Sequence, residues 1–441
     1  MMHRLPGPIV IVTVLVLTMP LAYAQSTAVP MSANPLQPTS FGFSCNFDRP
    51  DACQRAQWIR TESRPGTLRM HDTGTTWQRL TSGPGSYRWG NLDLWLDAIS
   101  AHQPLAVLFT FNRVPCWNVR ESRSECMGRG SPGSPDPPRD LTPNGSASFN
   151  EFVDAVTKHC SPAHHCVKDY IKYFEMWNEP NAPRYWNGTP EQLYDMVKPA
   201  AAIIRANVPG VQISTPAPFM AVNPDWMDQW LALENQKGRI SDIYGFHVYL
   251  GPGDKWLTES NAPEKRYIEN VVEMVNKKNN AGWATTPWMN TETGFLGSGP
   301  YYCPTDKGAT DTICGAFMSR WLIAQYGLGA QSIDWYWFSS IGQEDGTYNH
   351  LMQWLVGSHF PHACSHEGSI VECPLVQANG KDALIVWDFN VECRGNTCGT
   401  PTSYTAKPQF RTASDLYGST STIPSNHTVR IGASPTLLAM Q

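Results

Sequence analysis

Two glutamates stand where polar residues follow apolar runs. Glu179 lies in FEMWNEPN (174–181), after the aromatic run YIKYF, and Glu292 lies in PWMNTETGF (287–295). Such a residue is either the polar exit of a strand from the core or a side chain delivered to a cavity at the strand end. Two carboxyls flanking one cavity can break a glycosidic bond: one donates a proton to the leaving oxygen, and the other attacks the anomeric carbon or activates water. Burial and mutual repulsion separate their pKa values, so that an acid and a base coexist near neutrality. This chemistry needs no metal and no organic cofactor.

The elements that must position these carboxyls alternate along the chain. Strand-like runs fall at 40–45, 66–72, 104–111, 171–178, 211–218, 242–250, 286–295 and 331–340. Helical spacing follows most of them, at 52–63, 89–103, 147–159, 190–207, 225–236, 266–279, 313–329 and 349–357. Thr189 before Pro190 and Glu191 is a helix-start signature. Eight such units predict a (β/α)8 barrel, in which functional groups collect at the C-terminal ends of the strands. A doubly wound sheet would carry a glycine-rich phosphate turn after its first strand, and FGFSCNFDRPD has none.

In a barrel, the polar residues ending these strands converge on one face. Strand two offers Arg69, His71 and Asp72; strand four, Asn178 and Glu179; strand six, His247 and Tyr249; strand seven, Asn290 and Glu292; strand eight, Trp335 and Trp337. Arg69 can hold a nucleophilic carboxylate ionised, Tyr249 can hydrogen-bond it, and Asn178 can bind a sugar hydroxyl. Singly, each has a plainer reading: a solvated strand end, a core histidine, or an Arg69–Asp72 rim pair. Trp117, Tyr185, Trp186, Tyr301, Tyr302 and Trp337 are either sugar-stacking platforms or packing under loops.

Composition narrows the partners. Hydrophobic residues make up 41% of the 441, charged residues 16%, and the formal net charge is -5. The chain can therefore bury a sizeable core, and it lacks the basic stripe that nucleic acid would require. His3 and Arg4, the apolar IVIVTVLVLTMPL and the small residues of AYA predict a signal peptide over 1–24, with a polar linker over 25–37. The expected setting is secreted or periplasmic, with no membrane association after cleavage.

Twelve cysteines in close pairs fit that setting. The simplest pairing is Cys45–Cys53, Cys116–Cys126, Cys160–Cys166, Cys303–Cys314, Cys364–Cys373 and Cys393–Cys398. HCSPAHHC (159–166) could also look like a zinc site, but it lacks a second ligand cluster at zinc-finger spacing. The barrel is expected over 38–357. From 358 to 441, short alternating runs such as DALIVWDF and HTVRIG predict a small antiparallel β-sandwich.

Four blocks carry a resemblance: GTLRMHDTGTTWQRL, YFEMWNEPNAPRYW, FHVY and PWMNTETGF. They resemble the clan A (β/α)8 glycoside hydrolases, and within them family 39, which includes β-xylosidases, α-L-iduronidases and exopolysaccharide hydrolases. The likeness covers roughly residues 38–357, and the tail is similar to the accessory sandwich of such enzymes. The resemblance implies Glu179 as acid/base, Glu292 as nucleophile, Asn178 as partner of the sugar 2-hydroxyl, and Arg69, His247, Tyr249 and Trp337 as supporting residues. It also implies a retaining, double-displacement route, with carboxyls about 5–5.5 Å apart rather than about 6.5–9.5 Å. The twelve cysteines and the long CWNVRESRSECMGRGSPGSPDPPRD loop depart from the family's better-known members. A silent carbohydrate-binding protein or a transglycosylase on the same scaffold would carry much the same residues. The expected partner is a poly- or oligosaccharide.

Overall fold

Eight short runs of β-branched and aromatic residues form the strands β1 (Phe41–Ser44), β2 (Thr67–Met70), β3 (Ala106–Thr110), β4 (Ile171–Glu175), β5 (Gln212–Ser214), β6 (Tyr244–His247), β7 (Trp288–Thr293) and β8 (Ser332–Tyr336). This is a computed structural model, and it describes residues 34–45, 50, 66–101, 106–119, 145–250, 256–257, 262–295, 311–336, 345–394 and 397–441. The strands lie parallel in the order β5-β4-β3-β2-β1-β8-β7-β6. A parallel bridge from Ser214 to Ile243 joins the two edges and closes the barrel. β2, β3, β6, β7 and β8 are buried at every position, as strands must be when helices cover one face and the barrel interior the other.

Helices follow seven of the strands: α1 (Gly90–Ser100), α2 (Gly145–Lys158), α3 (Pro190–Asn207), α4 (Trp226–Lys237), α5 (Ile268–Asn280), α6 (Asp311–Gly327) and α7 (Asp345–Leu355). The helix expected over 52–63 falls outside the described residues. Thr189 opens α3 with a reciprocal cap: its hydroxyl accepts from the Gln192 N–H, and the Gln192 side chain accepts from the Thr189 N–H. The helix then runs through Pro199 without ending.

The C-terminal region is antiparallel. A six-stranded sheet is ordered Ser365–Glu367, Ile370–Val376, Asp382–Asp388, Thr436–Ala439, Thr412–Asp415, Thr420–Thr422, and Thr402–Thr405 pairs separately with Thr428–Ile431. The strand at 382–388 explains how this sandwich meets the barrel. Leu384 and Val386 face a small core with Tyr404, Phe410 and Ile431, whereas Ile385 and Trp387 join the main core. Period-two alternation thus presents one apolar face to each body. At that junction Arg320 of α6 pairs with the buried Glu264, which also accepts from the Trp387 indole N–H at 2.9 Å.

Three of the expected disulfides are present: Cys160–Cys166, Cys364–Cys373 and Cys393–Cys398. Cys45, Cys116 and Cys314 are also disulfide-bonded, while Cys53, Cys126 and Cys303 lie outside the described residues. The first of these bridges settles the HCSPAHHC motif. Its sulfurs are bonded to each other, and His159 and His165 pair with Asp93 and Asp97 of α1 at 2.6 and 2.8 Å. Among the described residues, no helix is long and apolar enough to cross a membrane.

Candidate active site

The strand ends bring Arg69, Asn178, Glu179, His247, Tyr249 and Glu292 to one end of the barrel interior, all of them buried. One oxygen each of Glu179 and Glu292 and one ring nitrogen of His247 lie within 4.8 Å of one another. Glu179 follows β4 and Glu292 lies in β7, with β5 and β6 between them on the shorter side of the closed barrel.

Arg69 is the hub. One guanidinium nitrogen, Nη1, donates to Glu292 Oε2. The other, Nη2, donates to Glu175 Oε1 at 2.6 Å and to Asn178 Oδ1 at 2.7 Å, and lies 3.3 Å from His247 Nε2. Burial opposes the charge on Arg69, but the carboxylates of Glu175 and Glu292 outweigh it and hold the guanidinium more firmly protonated than usual. Because arginine only donates, Asn178 must turn its carbonyl to Arg69, which leaves its Nδ2 amide without a partner among the described residues. The same logic makes His247 Nε2 the acceptor and puts the ring proton on Nδ1, which donates to Glu179 Oε1 at 3.1 Å.

Glu292 is gripped at both oxygens, since Tyr249 donates its hydroxyl to Oε1. Burial and the charge of Glu292 push the Tyr249 phenol well above its ordinary range, so it stays a donor. Glu179 is gripped as well: Oε1 by His247, and Oε2 by Arg184 Nη2 at 2.9 Å. Burial pushes the Glu179 carboxyl up, but the His247 hydrogen bond and the Arg184 cation outweigh it and hold it below the usual glutamate range. Each carboxylate of this group already bonds an arginine of the chain, Glu292 through Arg69 and Glu179 through Arg184. The donor set is already neutralised by the protein's own cations.

The backbone at Glu179 has φ +40, a left-handed conformation that a residue with a side chain adopts at some cost. Hydrogen bonds hold it there: Glu179 N to Ala217 O at 2.9 Å, Ala182 N to Glu179 O at 2.9 Å, and Asn178 N to Phe111 O at 3.1 Å. This turn re-aims the side chain into the cavity just where β4 has ended.

A second group flanks the first. Asp72 accepts from the Tyr336 hydroxyl at 2.7 Å and lies 3.3 Å from His71 Nδ1, whose Nε2 lies 2.7 Å from Asn112 Nδ2. The Arg69–Asp72 rim pair, the plainer alternative, is therefore not what forms; Arg69 turns inward, and Asp72 goes to His71 and Tyr336. Asn290 is not turned toward the carboxyls either, since it bonds the Val248 backbone and Gln325. Trp335 packs against Phe295, with ring centroids 5.4 Å apart, in the main core. Trp186 stacks edge-on to Trp177 at 5.6 Å, so it too is buried packing. Tyr185 sits edge-on to His71. Trp117 packs edge-on to the buried Trp77. Trp337, Tyr301 and Tyr302 lie outside the described residues.

Four residues around the site escape a reading of strand ends: Glu175, Asp334, Tyr336 and Arg184. Alternation could have found the first three, because Glu175 shares a strand side with Tyr173, and Asp334 with Tyr336. Asp334 pairs in register with Gly42, where an added Cβ would stand 1.6 Å from Asp334 Oδ1, so the glycine makes room for the acid. Neither Asp334 oxygen has a hydrogen-bond partner among the described residues. Burial raises its pKa well above the carboxylate range, the pull of Arg69 notwithstanding.

A raised folded-state pKa means that folding takes up a proton, so stability falls as pH climbs from the unfolded Asp value toward the folded one. Asp334→Asn removes this linkage. Its stability relative to the parent is expected to rise between pH 4 and pH 7, by up to about 1.4 kcal/mol per pH unit. Urea unfolding at both pH values measures it, and a difference that does not vary with pH would show Asp334 to be ionised.

No family model matches the chain, and no curated protein matches its sequence. Solved structures match 92% or more of its length. The GH39 enzyme from Xanthomonas axonopodis pv. citri has a TM-score of 0.59 at 14% identity, covering 92% of this chain and 95% of that one. A monomeric beta-xylosidase from Caulobacter crescentus CB15 has 0.58 at 13%, covering 93% and 98%. A glycoside hydrolase family 30 subfamily 8 xylanase, Xyn30A, from Clostridium acetobutylicum has 0.54 at 15%, covering 92% and 96%. At such identities the likeness is one of fold: a (β/α)8 barrel with a β-sandwich, shared with glycoside hydrolases.

Proposed function

We propose that the chain is an exported retaining O-glycoside hydrolase acting on a poly- or oligosaccharide, with Glu292 as nucleophile and Glu179 as acid/base. The observation that carries this reading is the approach of the Glu179 and Glu292 oxygens to within 4.8 Å across the barrel mouth. An approach that close lies nearer the roughly 5–5.5 Å of retaining pairs than the about 6.5–9.5 Å at which inverting enzymes hold their carboxyls to admit a water. The disulfides among the described residues suit an oxidising compartment outside the cytoplasm.

In the first step a Glu292 oxygen forms a bond to the anomeric carbon while the bond to the leaving oxygen breaks. The leaving oxygen keeps that electron pair and takes the proton of Glu179. In the second, Glu179 removes a proton from water, whose oxygen attacks the anomeric carbon and expels Glu292. Arg69 and Tyr249 bond the two oxygens of Glu292 and aim them. The unpartnered Nδ2 of Asn178 is a buried donor ready for a sugar hydroxyl.

A panel of aryl glycosides and polysaccharides identifies the sugar. On that sugar, Glu179→Ala is expected to lower kcat/KM by roughly 10²–10⁴-fold with a phenyl leaving group. With 2,4-dinitrophenol, which departs without a proton, kcat/KM should change little. Azide should accelerate release of that sugar with retained configuration. Equal losses on both leaving groups would remove Glu179 from the acid role.

A further inference from the structure

Arg184 lies in the turn after β4, in the stretch NAPRYW. Its guanidinium stands 4.6 Å over the Tyr185 ring and donates to Glu179 Oε2 at 2.9 Å. The two partners differ sharply in exposure: the Arg184 side chain is 47% exposed, the Glu179 side chain 4%. Other charged or titratable groups also face Glu179: His247 from β6, Glu292 from β7, and the Tyr185 and Tyr249 phenols.

Resting on the acid/base role of Glu179, the difficulty is where its proton can go. A protonated oxygen must turn its O–H toward the leaving group and accepts only weakly from an N–H donor. At Oε1 the donor is His247, fully buried and held from behind by Arg69. At Oε2 the donor is Arg184, half in solvent. Of the two, only the arginine can swing away without repacking the barrel.

We propose that Arg184 is a displaceable counter-ion of the acid/base: it holds Glu179 ionised while the site is empty and is moved off Oε2 by the leaving-group sugar, so that Glu179 takes up a proton from solvent as substrate binds. Arg184 is thus a positioning residue acting through Glu179. Its cation stabilises the carboxylate of the free enzyme and so moves the alkaline limb of kcat/KM to lower pH. In the complex, with Arg184 displaced, the limb of kcat lies higher, because kcat/KM reports the free enzyme and kcat the complex.

The test uses the full chain and the phenyl glycoside of the sugar it turns over, whose poor leaving group keeps bond cleavage rate-limiting. In the parent, the alkaline limb of kcat should lie above that of kcat/KM. Arg184→Gln should close this gap by raising the kcat/KM limb. One pH unit above the parent limb, the variant should keep roughly three- to tenfold more of its maximal kcat/KM than the parent does. Arg184→Lys, which retains the charge, should restore the gap. The proposal is overturned if the parent shows no gap or if Arg184→Gln leaves it unchanged. The 2,4-dinitrophenyl glycoside separates this from failure of the underlying reading. If the alkaline limb persists equally with that leaving group, Glu179 is not the acid; if it disappears there but fails to move in Arg184→Gln with the phenyl glycoside, only the role of Arg184 falls.

Discussion

Glu292→Ala is expected to lower kcat/KM by roughly four to six powers of ten on any substrate, activated or not. Unlike the loss at Glu179, this one should not depend on the leaving group, because no substrate can bypass attack at the anomeric carbon. The fold should survive: Arg69 keeps Glu175 and Asn178 as partners, and the cavity opens toward the mouth rather than into the core. Azide fits the vacated space and, attacking directly, should restore turnover and release the glycosyl azide with inverted configuration. Turnover within tenfold of the parent would refute the nucleophile assignment. Product of retained configuration from the azide reaction would refute the two-step route.

Arg69→Met carries the largest expected cost in stability. The guanidinium is fully buried and bonds Glu175 and Glu292, so its removal strands two carboxylates in the barrel with no cation between them. Breaking a buried pair in this way costs about 3–5 kcal/mol. Arg69→Lys should recover little of it, since a point charge cannot span four partners held in a planar fork. Chemical unfolding at pH 7 provides the measurement. A loss below about 1 kcal/mol at pH 7 would mean that the network contributes far less to stability than its geometry indicates.

The two predictions probe different links between sequence and site. Glu179 and Glu292 were legible because each stands at the end of a strand-like run, and a parallel barrel gathers strand ends on one face. Arg69, His247, Tyr249 and Asn178 were legible for the same reason. Asp72 was legible as a strand end but not as a partner, because nothing along the chain says whether Arg69 turns outward to it or inward to Glu175. The interior supplied the answer, since buried carboxylates need a cation more than exposed ones do.

By itself the sequence determined the alternation of strands and helices, the close spacing of the cysteines and the strand ends from which side chains could enter one cavity. These are local properties, set by periodicity, capping and short loops, and they need no knowledge of what lies across the molecule. Tertiary structure alone decided that Arg69 joins Glu292, Glu175, Asn178 and His247, that Gly42 yields its space to Asp334, and that Arg184 reaches back to Glu179. Each depends on how far apart two segments lie after the barrel closes, and on which buried charge most lacks a partner. Charge balance in a low-dielectric interior is a property of the assembled site, carried by no single stretch of the chain.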